Sequence, residues 1–223
     1  MSETKSEKEQ RISILTNAIR NPNLSQIDFS VIMYLQFTIW KRGMRYEFEV
    51  LSNEVKFYTN VYENKTLNKS FVNLFKQGYL LQEIGKRQPN IPILFKLNKS
   101  KFSIQDRKDD EYFTALPINV MYSLKDGKLN HKEIRFLYYI QSYINPKSKI
   151  KSCYAGIDTR MSDELNLSRT TIMALHKELS KKKLISVTKH PLGTSFEYDV
   201  DDNLIRSRFN NHYQIRYENI QKL

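Results

Sequence analysis

"NLSRTTIMALHKELSKKKLI", residues 166–185, decides the fold of this chain. Ile172, Leu175 and Leu179 recur at helical spacing, which puts an apolar stripe on one side of a helix. Ser168 stands where an N-cap belongs. The opposite side carries Thr170, Ala174, Lys177 and Lys181, flanked by Arg169 and Met173. Just upstream, "DTRMSDELN" (158–166) places Met161 and Leu165 on one face, and residues 166 to 168 make a three-residue turn. A short helix, a tight turn and a second helix with these buried positions read as a helix-turn-helix. Downstream, Leu184, Ile185 and Val187 open an extended run, "HPLGTS" turns it, and Phe196, Tyr198 and Val200 alternate on the way back. Two strands after a helix-turn-helix make a β-wing. "SKIKSCYAG" (148–156) has room for a short strand ahead of it.

The chain repeats itself, and repeats of this kind govern the whole architecture. "NLSQIDFSVIMYLQFTI" (23–39) lies over "KLNHKEIRFLYYIQSYI" (128–144) at an offset of 105. Ser25 and Asn130 are N-caps, each with an acidic residue three places on, Asp28 and Glu133, which is the pattern of a capping box. Leu24 with Phe29, and Leu129 with Ile134, occupy the positions of a hydrophobic staple. Leu67, Leu74, Tyr79 and Leu80 match Ile172, Leu179, Leu184 and Ile185 at the same offset. "SNEV" (52–55) matches "SDEL" (162–165) at 110, and Ile14, Asn17 and Ile19 match Leu116, Asn119 and Met121 at 102. Shared apolar spacing is common between unrelated helices; shared caps in the same order are not. In the first copy the buried stripe is Leu67, Phe71, Leu74 and Phe75, and its turn, through "KFYTNVYENKT", reads five residues longer.

The expected fold is therefore mainly α with small antiparallel β-wings, as two tandem winged-helix (helix-turn-helix) domains. The first spans 10–98, a linker 99–111, the second 112–202, and a C-terminal tail or helix 203–223. A dimer contact is an open reading for the last segment.

Charge bounds the partners. There are 36 Lys and Arg against 24 Asp and Glu, a net charge of +12. The excess is +7 in residues 1–104 (16 basic, 9 acidic) and +5 in 105–223 (20 basic, 15 acidic), so neither half is a neutral domain with a basic tail. Such a balance fits a plain basic surface or a polyanionic partner, nucleic acid first and an anionic membrane surface second. No apolar run approaches the roughly 20 residues of a membrane span, and "MSETKSEKEQ" lacks the apolar core of a secretory signal. One cysteine, Cys153, permits no internal disulfide and no cysteine-based zinc site. A cytoplasmic location is expected.

Catalytic patterns are missing from the sequence. The six glycines are scattered, so no phosphate-cradling loop precedes a Lys and a hydroxyl. His131, His176, His190 and His212 have neither zinc-peptidase nor nicking-nuclease spacing and read as surface or wing residues. "HYQIRY" (212–217) has a His-to-Arg step of four where a tyrosine recombinase has three. Asp109–Asp110 and Asp201–Asp202 read as solvated linker charge. No enzyme activity, cofactor or metal is expected.

"YFTALPINVMYSL", then "LNHKEIRFLYYIQSYI", then "MSDELNLSRTTIMALHKELSKKKLI" resembles the winged-helix domain of Gram-positive plasmid replication initiators, and is similar to phage replisome-organiser and DnaD-type N-terminal domains. The resemblance covers about 112–188, and reaches the first copy only through the repeat. Two-winged-helix plasmid initiators are similar in architecture alone. These resemblances imply binding to repeated origin sites and recruitment of a host helicase or primase loader, although no separate C-terminal domain for host contact is evident.

Double-stranded DNA is the expected partner, with host replication proteins and a second copy of the chain behind it, and no membrane. Ser168, Arg169, Thr170, Ala174 and Lys177 are the candidates near DNA in the second unit; Lys65, Asn68, Lys69 and Asn73 are those of the first. An Arg can pair with guanine and a small apolar side chain can meet a thymine methyl. Wing residues Lys86, Arg87, Lys189 and His190 are expected on phosphates. A transcriptional regulator of a mobile element, and a protein-interaction adaptor that uses winged helices without DNA, are the alternatives.

Overall fold

The computed structural model describes residues 10–85, 90–106, 111–144, 151–154, 160–191 and 209–223, without the side chains of residues 190, 191, 209 and 210. Lys86 and Arg87, the side chain of His190, and the return strand expected at Phe196, Tyr198 and Val200 lie outside the described residues.

The first half runs β1 (Arg11–Leu15), α1 (Thr16–Ile19), α2 (Gln26–Lys41), β2 (Glu47–Val50), α3 (Ser52–Thr59), α4 (Asn64–Lys76), β3 (Ile93–Lys96), α5 (Lys99–Phe102). The second runs β4 (Phe113–Pro117), α6 (Asn119–Lys125), α7 (His131–Tyr143), β5 (Cys153–Tyr154), α8 (Ser162–Leu165), α9 (Arg169–Lys181), β6 (Ile185–Pro191), β7 (Phe209–Ile215), α10 (Tyr217–Ile220). The molecule is mainly helical with small antiparallel sheets. No helix of the described residues is long and apolar enough to cross a membrane.

Local chemistry starts both central helices. Ser25 accepts the Asp28 amide while the Asp28 carboxylate accepts the Ser25 amide; Asn130 and Glu133 do the same at α7. The residues from 28 to 39 of α2 and from 133 to 140 of α7 are buried throughout. A helix apolar on all sides needs neighbours on all sides, and α2 and α7 supply part of that cover by packing on each other in one continuous core.

Residues 209–223, in the segment expected as a tail or helix, are instead integral to the second half. β7 is the central strand of the sheet β5–β7–β6, pairing Cys153 with Tyr213 and Ile185 with Ile215. α10 follows it and buries Ile220. The first half has the same arrangement: β2 pairs with β3, and Leu80 bridges Leu97 on the other side. The Asn98 amide donates to the Tyr79 carbonyl at 3.0 Å, as the Arg216 amide donates to the Leu184 carbonyl at 2.9 Å. Tyr79 and Leu184 are 105 apart, but Asn98 and Arg216 are 118 apart, because the connection between the paired strands is longer in the second copy. α5 is the counterpart of α10, with Phe102 buried where Ile220 is, so the start of the expected linker folds as part of the first half.

The helix pair before the sheet also corrects the sequence alignment. Asn60 and Asn166 are both left-handed C-caps, at φ 54° and 50°, with amides donating to Lys56 and Ser162. Their offset is 106, which aligns buried Val55, Thr59 and Val61 with Met161, Leu165 and Leu167 rather than "SNEV" with "SDEL". Of the residues expected in a longer turn in the first copy, 56 to 59 complete α3 and 64 to 66 open α4, so the turn itself is residues 60 to 63.

The two halves are joined through equivalent strands. β1 pairs antiparallel with β4: Arg11 opposite Pro117, Ser13 opposite Ala115, Leu15 opposite Phe113. Ser13 and Ala115 are themselves repeat-equivalent at offset 102, so the ladder maps onto itself when the copies are exchanged. That is the register of an approximate internal two-fold axis.

Candidate nucleic-acid interface

α9 is placed by its buried side. Ile172 and Leu179 are fully buried and Leu175 nearly so, while Ser168 caps the N-terminus by accepting the Thr171 amide at 3.3 Å. α8 stacks ahead of it with Leu165 buried. These constraints leave Ser168, Arg169, Thr170, Met173, Ala174, Lys177 and Lys181 exposed as one face. Lys189, on β6, is exposed as well. The face therefore combines guanidinium, ammonium, hydroxyl and small apolar groups, and its N-terminal end adds the positive end of the helix dipole. Met173, 48% exposed, belongs to it; the sequence placed it beside the face, and its large exposed apolar surface is the signal that it belongs.

The neighbouring run of three lysines is not uniform. Lys182 donates to the Glu133 carboxylate at 2.6 Å and to the Lys128 carbonyl at 2.9 Å, which ties the end of α9 to the start of α7. Lys181 remains on the exposed face.

α4 buries Leu67, Phe71 and Leu74 and half-buries Phe75. Lys65, Asn68, Lys69, Val72 and Lys76 are exposed. Asn73 departs from expectation. Its amide donates to the Asp28 carboxylate at 2.7 Å and to the Asn23 carbonyl at 2.9 Å, so both its N–H groups face α2 rather than solvent. It joins the capping network of α2 and leaves Lys65, Asn68 and Lys69 as the candidates on the exposed face.

Of the histidines expected at the surface or in a wing, His176 is buried and His131 half-buried. His176, on the buried flank of α9, lies between the rings of Phe136 and Tyr213, at 5.2 and 4.9 Å between centroids. Burial pushes its pKa down to about 4, so it is neutral at physiological pH. His131 Nδ1 lies 2.8 Å from the Ser30 hydroxyl across the α2–α7 contact, and burial lowers its pKa too. Cys153 is buried, its thiol pushed up to about 12, and it is not a reactive nucleophile. Among the described residues no three His, Cys, Asp or Glu side chains gather as a metal site would require.

No protein-family model matches this chain, and no curated protein matches it in sequence.

Proposed function

We propose that the chain is a sequence-specific duplex-DNA-binding protein, built from two winged-helix units, that acts as a plasmid or phage replication initiator. The observation that carries the reading is the exposed face of α9: Arg169, Thr170, Ala174 and Lys177 present base-reading and phosphate-holding groups on a helix whose other side is locked into the core. Three further features support it. Each half follows the order helix, strand, helix, helix and a return to the sheet, in which the last strand is central: β7 lies between β5 and β6, and β3 pairs with β2 while the adjoining Leu97 bridges Leu80. α4 presents Lys65, Asn68 and Lys69 in the equivalent place. Both halves are basic.

In this mechanism α4 and α9 enter major grooves, where each base pair has its own donor and acceptor pattern. The lysines neutralise phosphates and release counter-ions. In this reading the two helices, equivalent under the internal repeat, each take their own groove segment. Recruitment of a helicase or primase loader follows from the resemblance of residues 112–188.

Selection of bound sequences from random duplexes tests the reading. Enriched, spaced half-sites are expected. Arg169→Ala and Lys177→Ala each weaken the selected site by about 1–3 kcal/mol when the lost contact is to a base. With about 6–10 phosphates contacted, affinity falls roughly 10³- to 10⁵-fold between 50 and 200 mM salt. A flat salt response, or no enrichment, removes the DNA reading. The initiator role is tested by whether a plasmid bearing only this gene and the enriched sites replicates.

A further inference from the structure

Arg135 heads the large fully buried side chains among the described residues, and it sits where the two halves meet. It extends from α7, and no carboxylate lies within ion-pair distance among the described residues. It donates instead to four backbone carbonyls. Nε reaches Ile19 at 3.0 Å, Nη1 reaches Leu24 at 2.6 Å, and Nη2 reaches Asn21 at 2.7 Å and Glu164 at 3.4 Å. Three of these belong to the end of α1 and its connection to α2 in the first half. The fourth belongs to α8 in the second. A guanidinium's planar fork suits it to hold several acceptors at fixed angles, which a lysine cannot do.

What lies beyond each acceptor gives the contact its meaning. On one side, the connection that Arg135 holds is also held by α4: Asn73 donates to Asn23 and Asp28. On the other, Glu164 is in α8, joined to α9 by a turn of three residues. Gln26 donates to the Leu165 carbonyl at 2.9 Å beside it. A continuous polar path therefore runs from α4 through residues 21–28 to Arg135, α8 and α9. The repeat-equivalent of Arg135 is Ser30, which cannot span such a distance, so the path exists on one side of the two-fold only.

We propose that Arg135 is a positioning residue that fixes the separation of α4 from α9, and so sets the number of base pairs between the two half-sites one chain accepts. The half-site claim rests on the DNA-binding reading; the separation claim does not.

Two measurements test it. Spin labels on Asn68→Cys and Thr170→Cys report the α4–α9 distance by pulsed dipolar spectroscopy, with buried Cys153 unlabelled. The otherwise native chain gives one narrow distance, and Arg135→Met broadens or displaces it. Binding is then measured to duplexes carrying both selected half-sites with base pairs added or removed between them. The native chain loses about tenfold or more on a change of one or two base pairs, since the partner half-site turns away from its helix. Arg135→Met binds a single half-site as the native chain does but loses that spacing penalty. A general loss of stability would weaken all spacings alike, so the ratio between spacings is diagnostic. If Arg135→Met does not fold, Gln26→Ala, which removes the neighbouring bond without touching the buried charge, is expected to broaden the distance and relax the penalty to a lesser degree. An unchanged distance and an unchanged spacing profile in whichever variant folds overturn the proposal. A broadened distance in a protein that binds no duplex overturns the DNA reading and the half-site claim, and leaves Arg135 as the joint between the halves.

Discussion

His176 illustrates how a single residue couples burial to pH. In the unfolded chain a histidine takes up its proton near 6.5; held between Phe136 and Tyr213 it does so only near about 4. Between those values the unfolded state binds more protons, so stability rises with pH: it is full above about 6.5 and drains as pH falls toward about 4. His131 acts in the same direction. Moving from pH 7.5 to pH 5 is expected to cost about 2 kcal/mol through His176 alone. His176→Phe removes that part of the loss, read as a smaller difference between urea midpoints at the two pH values. The caps at Ser25, Asn130 and Ser168 were legible in the sequence because capping involves residues three apart. The inward contacts of His131, His176, Asn73 and Arg135 were not, because each is set by a partner far along the chain, such as Ser30 for His131.

Among the elements, the amphipathic stripes of α4 and α9 were legible from period alone, and so were the starts of α2 and α7. The pairing of the sheets was not. A strand's partner is chosen by packing, and the offset between copies changes from 105 to 118 across the longer connection between β6 and β7, which hid the likeness of β3–α5 to β7–α10. The tight stops of α3 and α8 are a second case. Asn60 and Asn166 adopt φ values that a β-carbon resists and that Asn tolerates better than most residues. Asn60→Ala is expected to cost about 1 kcal/mol, and Asn60→Gly close to nothing, since Gly takes that conformation freely. Thermal unfolding of the two variants side by side checks this. The exposed face of α9 was legible nearly residue by residue, because an exposed face is simply what the buried stripe leaves over.

For the whole molecule, duplication was visible in the chain, but the way the copies meet was not, since no periodicity announces that β1 will pair with β4. The pairing makes the halves interdependent: β1 completes its sheet with the second half, and Arg135 completes its hydrogen bonds with the first. Cleavage at a protease site engineered between residues 107 and 110 is expected to leave both pieces in one particle on gel filtration, unfolding in a single transition. Separation of the pieces under native conditions would show that the β1–β4 ladder and the α2–α7 contact are too weak to unite them.

The self-matching register of β1 and β4 has an ancestral consequence. Two separate chains of the single-copy size, meeting strand to strand, would form the same isologous seam, and each would be bound to mirror the other's every change. Fusing them into one gene ends that obligation. Position 30 is a serine where position 135 is an arginine, so each copy is free to carry a residue that its counterpart lacks.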